Sequence, residues 1–184
     1  MSININLFTT AKHNVKHRIL EIFFCVSLLA ICSQISISLS PVPITLQTVA
    51  ALFIGLFYNK TSATLSVLSY LTLGAMGLPI FANFSFGVMA LIGPRGGYLI
   101  GFLLAVYIMS ILKNKLFNNK IFDQIFLCII GNIVIMALGF LWLASFIGTS
   151  KALEFGVLPF IVPGIIKSVL LIAFIRIVRP QIYQ

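Results

Sequence analysis

Few residues in this 184-residue chain are equipped for chemistry, and the missing types are as informative as those present. Lys167 lies inside the apolar run from Gly156 to Val178. It sits roughly nine residues in, about 14 Å deep at about 1.5 Å per residue. An ammonium group at such depth costs at least ~2.5–3.5 kcal/mol unless it faces a cavity or a partner. No carboxylate is placed to pair with it: Glu21 and Asp123 sit near the ends of apolar runs, and Glu154 lies in a connection between two of them. The expected partner is therefore a carboxylate that arrives on a ligand. Arg95 offers a second, shallower cation. Gln47, Asn83 and Asn132 offer amides, and Tyr98, Trp142 and several phenylalanines offer aromatic surface.

The same inventory argues against catalysis. General acid–base work needs a titratable group tuned near neutrality, and the histidines, His13 and His17, are confined to the N-terminal tail. A metal site needs a cluster of His, Cys or carboxylate ligands. Cys25, Cys32 and Cys128 are odd in number and lie within apolar runs without a C-x-x-C spacing, so they read as small buried hydrophobes. No phosphate-cradling P-loop is present, so the chain does not hydrolyse ATP itself. The residues suit recognition of a mostly apolar, singly anionic small molecule. They predict a binding protein, not an enzyme, with no cofactor and no metal.

The elements that must position these residues follow from composition. Sixty percent of the chain is hydrophobic, 8% is charged, and the mean hydropathy is +1.15. Soluble domains average about 45–50% apolar and about 25% charged residues. That excess excludes a soluble enzyme, a secreted disulfide scaffold and a disordered chain. The fold class expected is all-α, an integral membrane protein. A membrane helix needs roughly 20 apolar residues. Six segments approach this: Ile19 to Leu39, Ile44 to Tyr58, Ser62 to Phe81, Gly97 to Leu112, Ile125 to Ile147 and Gly156 to Val178. The second and fourth are short, which suggests tilt or ends inside the protein. The first has a basic approach (Lys12, Lys16, Arg18), as a signal peptide would, and Leu29-Ala30-Ile31-Cys32 faintly resembles a lipoprotein cleavage site. Bulky Ile31 stands where a small residue is required, so the segment is read as a retained helix.

Six spans put both termini on one side. That side collects nine basic residues, Lys12, Lys16, Arg18, Lys60, Lys113, Lys115, Lys120, Arg176 and Arg179, against Arg95 and Lys151 on the other. The positive-inside bias makes the termini cytoplasmic. The net charge of +9 thus sets topology and does not call for nucleic acid. Residues 1–18 form a cytoplasmic N-terminal tail, 19–178 a six-helix membrane domain and 179–184 a cytoplasmic C-terminal tail. The expected location is the cytoplasmic membrane of a prokaryote.

The outward connections are unusual. In Ser40-Pro41-Val42-Pro43-Ile44-Thr45 two prolines fix φ and block helix, giving an extended turn. The stretch from Ala82 to Gly97 combines Gly87, Gly93, Pro94, Gly96 and Gly97 with Phe81, Phe84 and Phe86 at one end. Irregular backbone at membrane depth is tolerated where it is buried in protein or lines a cavity, so this stretch predicts a structured lid over a pocket open to the outside. Gly97, Gly101 and Ala105 recur at intervals of four and predict a close helix–helix contact. Pro159 and Pro163 are expected to disturb the outer third of the sixth span.

Five stretches, in order, resemble the BioY family. They are Pro41-Val42-Pro43-Ile44-Thr45-Leu46-Gln47-Thr48, Leu73-Gly74-Ala75-Met76-Gly77-Leu78-Pro79-Ile80-Phe81-Ala82, Gly93-Pro94-Arg95-Gly96-Gly97-Tyr98-Leu99-Ile100-Gly101-Phe102, Leu138-Gly139-Phe140-Leu141-Trp142-Leu143 and Gly156-Val157-Leu158-Pro159-Phe160. The resemblance covers residues 19 to 178. It implies a six-helix, biotin-specific S component of an energy-coupling factor (ECF) vitamin importer, with biotin bound on the outer side. It also implies partners: a transmembrane coupling protein and two ATPase subunits, which alone use ATP. The candidate binding residues remain those of the inventory above, Lys167, Asn83, Arg95, Tyr98, Gln47, Asn132 and Trp142, of which the family's pattern carries Lys167. The chain departs from the family in three places. Gly164 stands where the family's Pro-Gly-Asp-x-x-Lys places Asp, which leaves ureido recognition open or shifts it to amides such as Asn83. Arg95 stands where Thr is commoner, as a second carboxylate contact or a cap on the outer surface. Ser27, Ala30 and Ser33 form only a loose version of the small-residue docking face of the first helix. The alternative kept is an S component or facilitator for another carboxylated vitamin or a biotin precursor.

Overall fold

The computed structural model of the chain describes residues 15–113 and 120–178. The expectations for the tails beyond these, and for Lys12, Lys115 and Arg179, lie outside the described residues, as does the side chain of Lys120. The described chain is mostly helical. Its elements in order are α1 (Val15–Gln34), β1 (Ser36–Ile37), β2 (Ile44–Thr45), α2 (Gln47–Phe57), α3 (Lys60–Ala75), a 3-10 turn (Ala82–Phe84), α4 (Val88–Ile92), α5 (Gly96–Leu112), α6 (Lys120–Ile147), α7 (Thr149–Gly156) and α8 (Leu158–Val178). Helices α1, α2, α3, α5, α6 and α8 fall on the six apolar segments. The stretches Ile121–Ile147 and Thr149–Val178 are long and apolar enough to cross a membrane, while Gln47–Phe57 and Gly96–Leu112 are shorter apolar helices.

Where helices end short of the apolar runs, the cause is local. The run to Leu39 stops being helix at Gln34, and the chain turns into a two-stranded antiparallel hairpin that pairs Ser36 with Thr45 and Ile37 with Ile44. The prolines at 41 and 43 occupy its connection, so the extended turn read from the sequence is present. Helix α3 ends at Ala75 and not at Phe81, because Gly77 takes φ +112° and Pro79 follows. Its other end is capped by Asn59, whose side chain accepts from the Ser62 amide. Pro159 does not disturb α8: it lies in the first turn, where its missing N–H has no helical partner to lose. Pro163 sits inside the helix, and α8 continues through it. The connection holding Glu154 is itself helical, as α7.

The core is built around α5, which packs against α2, α3 and α6. The small-residue face read from the sequence makes the α6 contact. A side chain at Gly97 would place its Cβ 2.3 Å from Trp142 Cβ and 2.5 Å from the Leu138 carbonyl oxygen. At Gly101 the Ile135 backbone is 3.0 Å away, and Ala105 is fully buried. Side chains on the outer surfaces of α1, α6 and α8, such as Phe23, Ile133, Leu141, Ile165 and Leu170, are apolar and exposed. Water cannot accommodate a continuous surface of that kind, and a bilayer can.

Candidate ligand-binding site

The connection between α3 and α5 is folded down over the helices. Ser33 and Gln34, at the end of α1, hold its near side. Ser33 Oγ donates to the Ile80 carbonyl at 2.7 Å, Gln34 Nε2 donates to the Phe81 carbonyl at 3.1 Å, and Gln34 Oε1 accepts from the Phe84 amide at 3.1 Å. On the α3 side the Gly87 amide donates to the Gly74 carbonyl at 2.7 Å. The Phe81 ring lies so close to α3 that a Cβ at Gly74 would fall 2.2 Å from it. Phe81 is buried, but Phe84 and Phe86 are exposed, so one of the three aromatics anchors the connection inward. Asn83 and Phe84 take positive φ values of 58° and 53°, which tighten the turn between α3 and α4.

Beneath this lid lies a cavity lined by Pro43, Thr45 and Gln47 from the hairpin and α2, by Phe81, Ser85 and Ala90 from the lid, and by Arg95, Tyr98 and Phe102 from the start of α5. Asn132 and Met136 of α6 and Phe160, Gly164 and Lys167 of α8 complete it. No carboxylate is among the lining residues.

Lys167 reaches into this space from α8, and its Nζ donates to the Thr45 carbonyl at 2.6 Å. That bond fixes the ammonium group and leaves two of its three N–H donors for other acceptors. Thr45 is held in turn: its Oγ1 donates to Gln47 Oε1 at 3.2 Å, Gln47 Nε2 donates to the Tyr70 hydroxyl at 2.6 Å, and that hydroxyl donates to the Ile80 carbonyl at 2.8 Å. Gln47 is thus largely committed to positioning the wall. Tyr98 donates its hydroxyl to the Gly156 carbonyl at 2.6 Å and stacks on Phe160 with ring centres 5.7 Å apart. It presents the cavity with a fixed aromatic face. Arg95, at the N-cap of α5, has no hydrogen-bond or ion-pair partner among the described residues and borders the cavity near the lid. Among the described residues no cluster of three or more His, Cys, Asp or Glu could hold a metal ion.

Of the residues singled out from the sequence, the structure brings Gln47, Arg95, Tyr98, Asn132 and Lys167 to one cavity. Asn83 and Trp142 are not in its lining. Asn83 is exposed on the turn, where its Oδ1 accepts from Ser36 Oγ at 3.1 Å. Trp142 donates Nε1 to the Gly93 carbonyl at 3.0 Å and packs against Gly97, so it holds the end of the lid onto α6. Thr45, Ser85 and Phe160 line the cavity without having been singled out. For Thr45 the signal was its place at the end of the proline-bearing turn.

A helical membrane protein with a lidded cavity, one cation fixed inside it and no carboxylate on its wall defines a class: a binder of small amphipathic anions. Residues 6–184 match the BioY family, and the chain belongs to that family. It is 41% identical over 143 residues to a probable biotin transporter BioY of Pyrococcus horikoshii, covering 78% of this chain and 84% of the relative. It is 38% identical over 144 residues to the biotin transporter BioY of Thermotoga maritima, with the same shares covered. Its fold is similar to the crystal structure of the S-component for biotin from an ECF-type ABC transporter, with a TM-score of 0.80 at 26% identity, covering 94% of this chain and 99% of that one.

Proposed function

We propose that the chain takes up biotin as the substrate-binding S component of an ECF-type transporter, capturing it in the lidded cavity from the outer side of the membrane. The observation that carries this is Lys167, fixed on the Thr45 carbonyl beside a cavity whose wall holds no carboxylate. Biotin supplies what that cavity lacks: one carboxylate, on an otherwise apolar body with a polar ureido group. The relatives that resemble this chain over most of its length carry the biotin transporter name. Helices α1, α2, α3, α5, α6 and α8 are the six spans, and residues 19–178 are the membrane domain. Both termini are cytoplasmic, and the excess of basic residues on that side supports the orientation. Transport energy comes from a coupling protein and two ATPase subunits, so the chain itself needs no cofactor. The membrane is the cytoplasmic membrane of a prokaryote.

Binding of labelled biotin to the purified protein tests this. Saturable binding in the nanomolar range is expected. Lys167→Ala removes a charge-assisted hydrogen bond of about 1.5–3 kcal/mol, so affinity falls tenfold or more. Full affinity in that variant removes Lys167 from the site. A second reading keeps the fold and changes the guest to another carboxylated vitamin or a biotin precursor. Gly164 on the cavity wall, where the resembling family carries Asp, favours testing it. Competition with desthiobiotin and lipoate separates the two readings.

A further inference from the structure

Asn132 of α6 faces the cavity with its amide held in one orientation. Its Nδ2 donates both hydrogens, to the Cys128 carbonyl at 2.8 Å and to Ser168 Oγ at 2.9 Å. Ser168 spends its own hydrogen on the Gly164 carbonyl at 2.9 Å, so it can only accept from Asn132. Rotating the amide by half a turn would set its oxygen against the Cys128 carbonyl, two acceptors facing each other. The orientation is therefore dictated by the partners. Asn132 Oδ1 accepts no hydrogen bond from any described residue, and the residue lines the cavity. Across from it stands Gly164, also on the lining. A Cβ at that position would approach Oδ1 to 3.3 Å, and nothing else is within 4 Å except the Cγ of the same amide. The missing side chain keeps the face of the oxygen open.

We infer that Asn132 Oδ1 is the acceptor for an N–H group of the ligand, that Ser168 and the Cys128 carbonyl lock it for this role, and that Gly164 keeps it accessible. This deepens the biotin reading and rests on it: the donor is a ureido N–H. An acceptor set to meet a donor rejects an analogue without one more strongly than an apolar wall would, because the bound analogue covers the oxygen and leaves it unpaired.

Biotin and its two mono-N-methyl ureido isomers are the probes, measured by equilibrium binding to wild type, Asn132→Ala and Gly164→Ala in detergent. Wild type is expected to bind biotin about tenfold or more tightly than at least one isomer. Asn132→Ala lowers biotin affinity and brings that isomer to within about twofold of biotin, since the loss of the acceptor removes what the methyl group blocks. Gly164→Ala guards against misfolding. Alanine is the better helix former and its Cβ would touch only the Asn132 amide, so a melting temperature measured beside wild type reports that the variant is folded while biotin affinity falls. Two variants with wild-type biotin affinity, or a wild type that binds both methyl isomers as tightly as biotin, would overturn the assignment and leave the biotin reading standing. A wild type that does not bind biotin would remove that reading, and this inference with it.

Discussion

At the scale of single residues the cavity separates two kinds of polar group. Gln47 and the Tyr98 hydroxyl have protein partners within 2.6 Å, while Lys167 is only partly satisfied and Arg95 has no partner among the described residues. Groups of the first kind shape the wall, and in the proposed function those of the second kind are left for a guest. Tyr98→Phe tests the division. It removes a hydrogen bond to the Gly156 carbonyl but keeps the ring on Phe160. Stability should fall by about 1 kcal/mol, read as a lower melting temperature in detergent, while biotin affinity changes by less than about threefold. A large loss of affinity at unchanged stability would place the hydroxyl on the ligand. Lys167 and Asn132 were legible as cavity-lining residues because polar groups in apolar runs need a reason to be there, and Arg95 because it sits in the glycine-rich outward connection. Trp142 and Asn83 misled because type and depth do not reveal which way a side chain turns. Trp142 points at the glycines of α5, and Asn83 sits outward on a turn of positive φ.

At the scale of elements, two contacts carry the site. The first is α5 on α6, where backbones meet because Gly97 has no side chain. Valine there would meet Trp142 and the Leu138 carbonyl, and a carbonyl cannot rotate away. Gly97→Val should cost at least about 1–3 kcal/mol and shift Arg95 and Tyr98 together, so purified protein is less stable and binds biotin weakly. The second contact is Gln34 with the lid. Gln34→Ala frees the Phe81 carbonyl and the Phe84 amide at once. Stopped-flow release of biotin should then speed up several-fold with little change in the association rate, because the lid keeps only the Ser33 bond to α1. Equal release rates would mean that the lid does not gate the cavity. The helices themselves were readable from apolar run length and the α5–α6 contact from glycine spacing. The hairpin and α7 were not, since two-residue strands and an eight-residue polar helix leave no period to detect.

At the scale of the whole molecule, the proposed function requires that the lid face outward, because a cavity that captures a nutrient must open where the nutrient is. The described basic residues agree with that requirement. Lys60, Lys113 and Arg176 belong to the helix ends and connections on the side opposite the lid, whereas Arg95 borders the lid. Lys113 donates to the Tyr58 carbonyl and Ser62 donates to Glu21 at 2.6 Å, so on that opposite side the end of α5 is tied to the end of α2, and α3 to α1. The three cysteines are buried, so a single introduced thiol reports its own exposure. Lys151 is exposed on α7, in the connection expected outside. Lys151→Cys should react with a membrane-impermeant maleimide added to intact cells. Thr61→Cys, exposed in the first turn of α3 on the opposite side, should react only after the membrane is opened. Tags fused to either terminus should resist protease until the same point. The reversed pattern would put the lid in the cytoplasm, and the cavity would then face the compartment into which the proposed function delivers biotin.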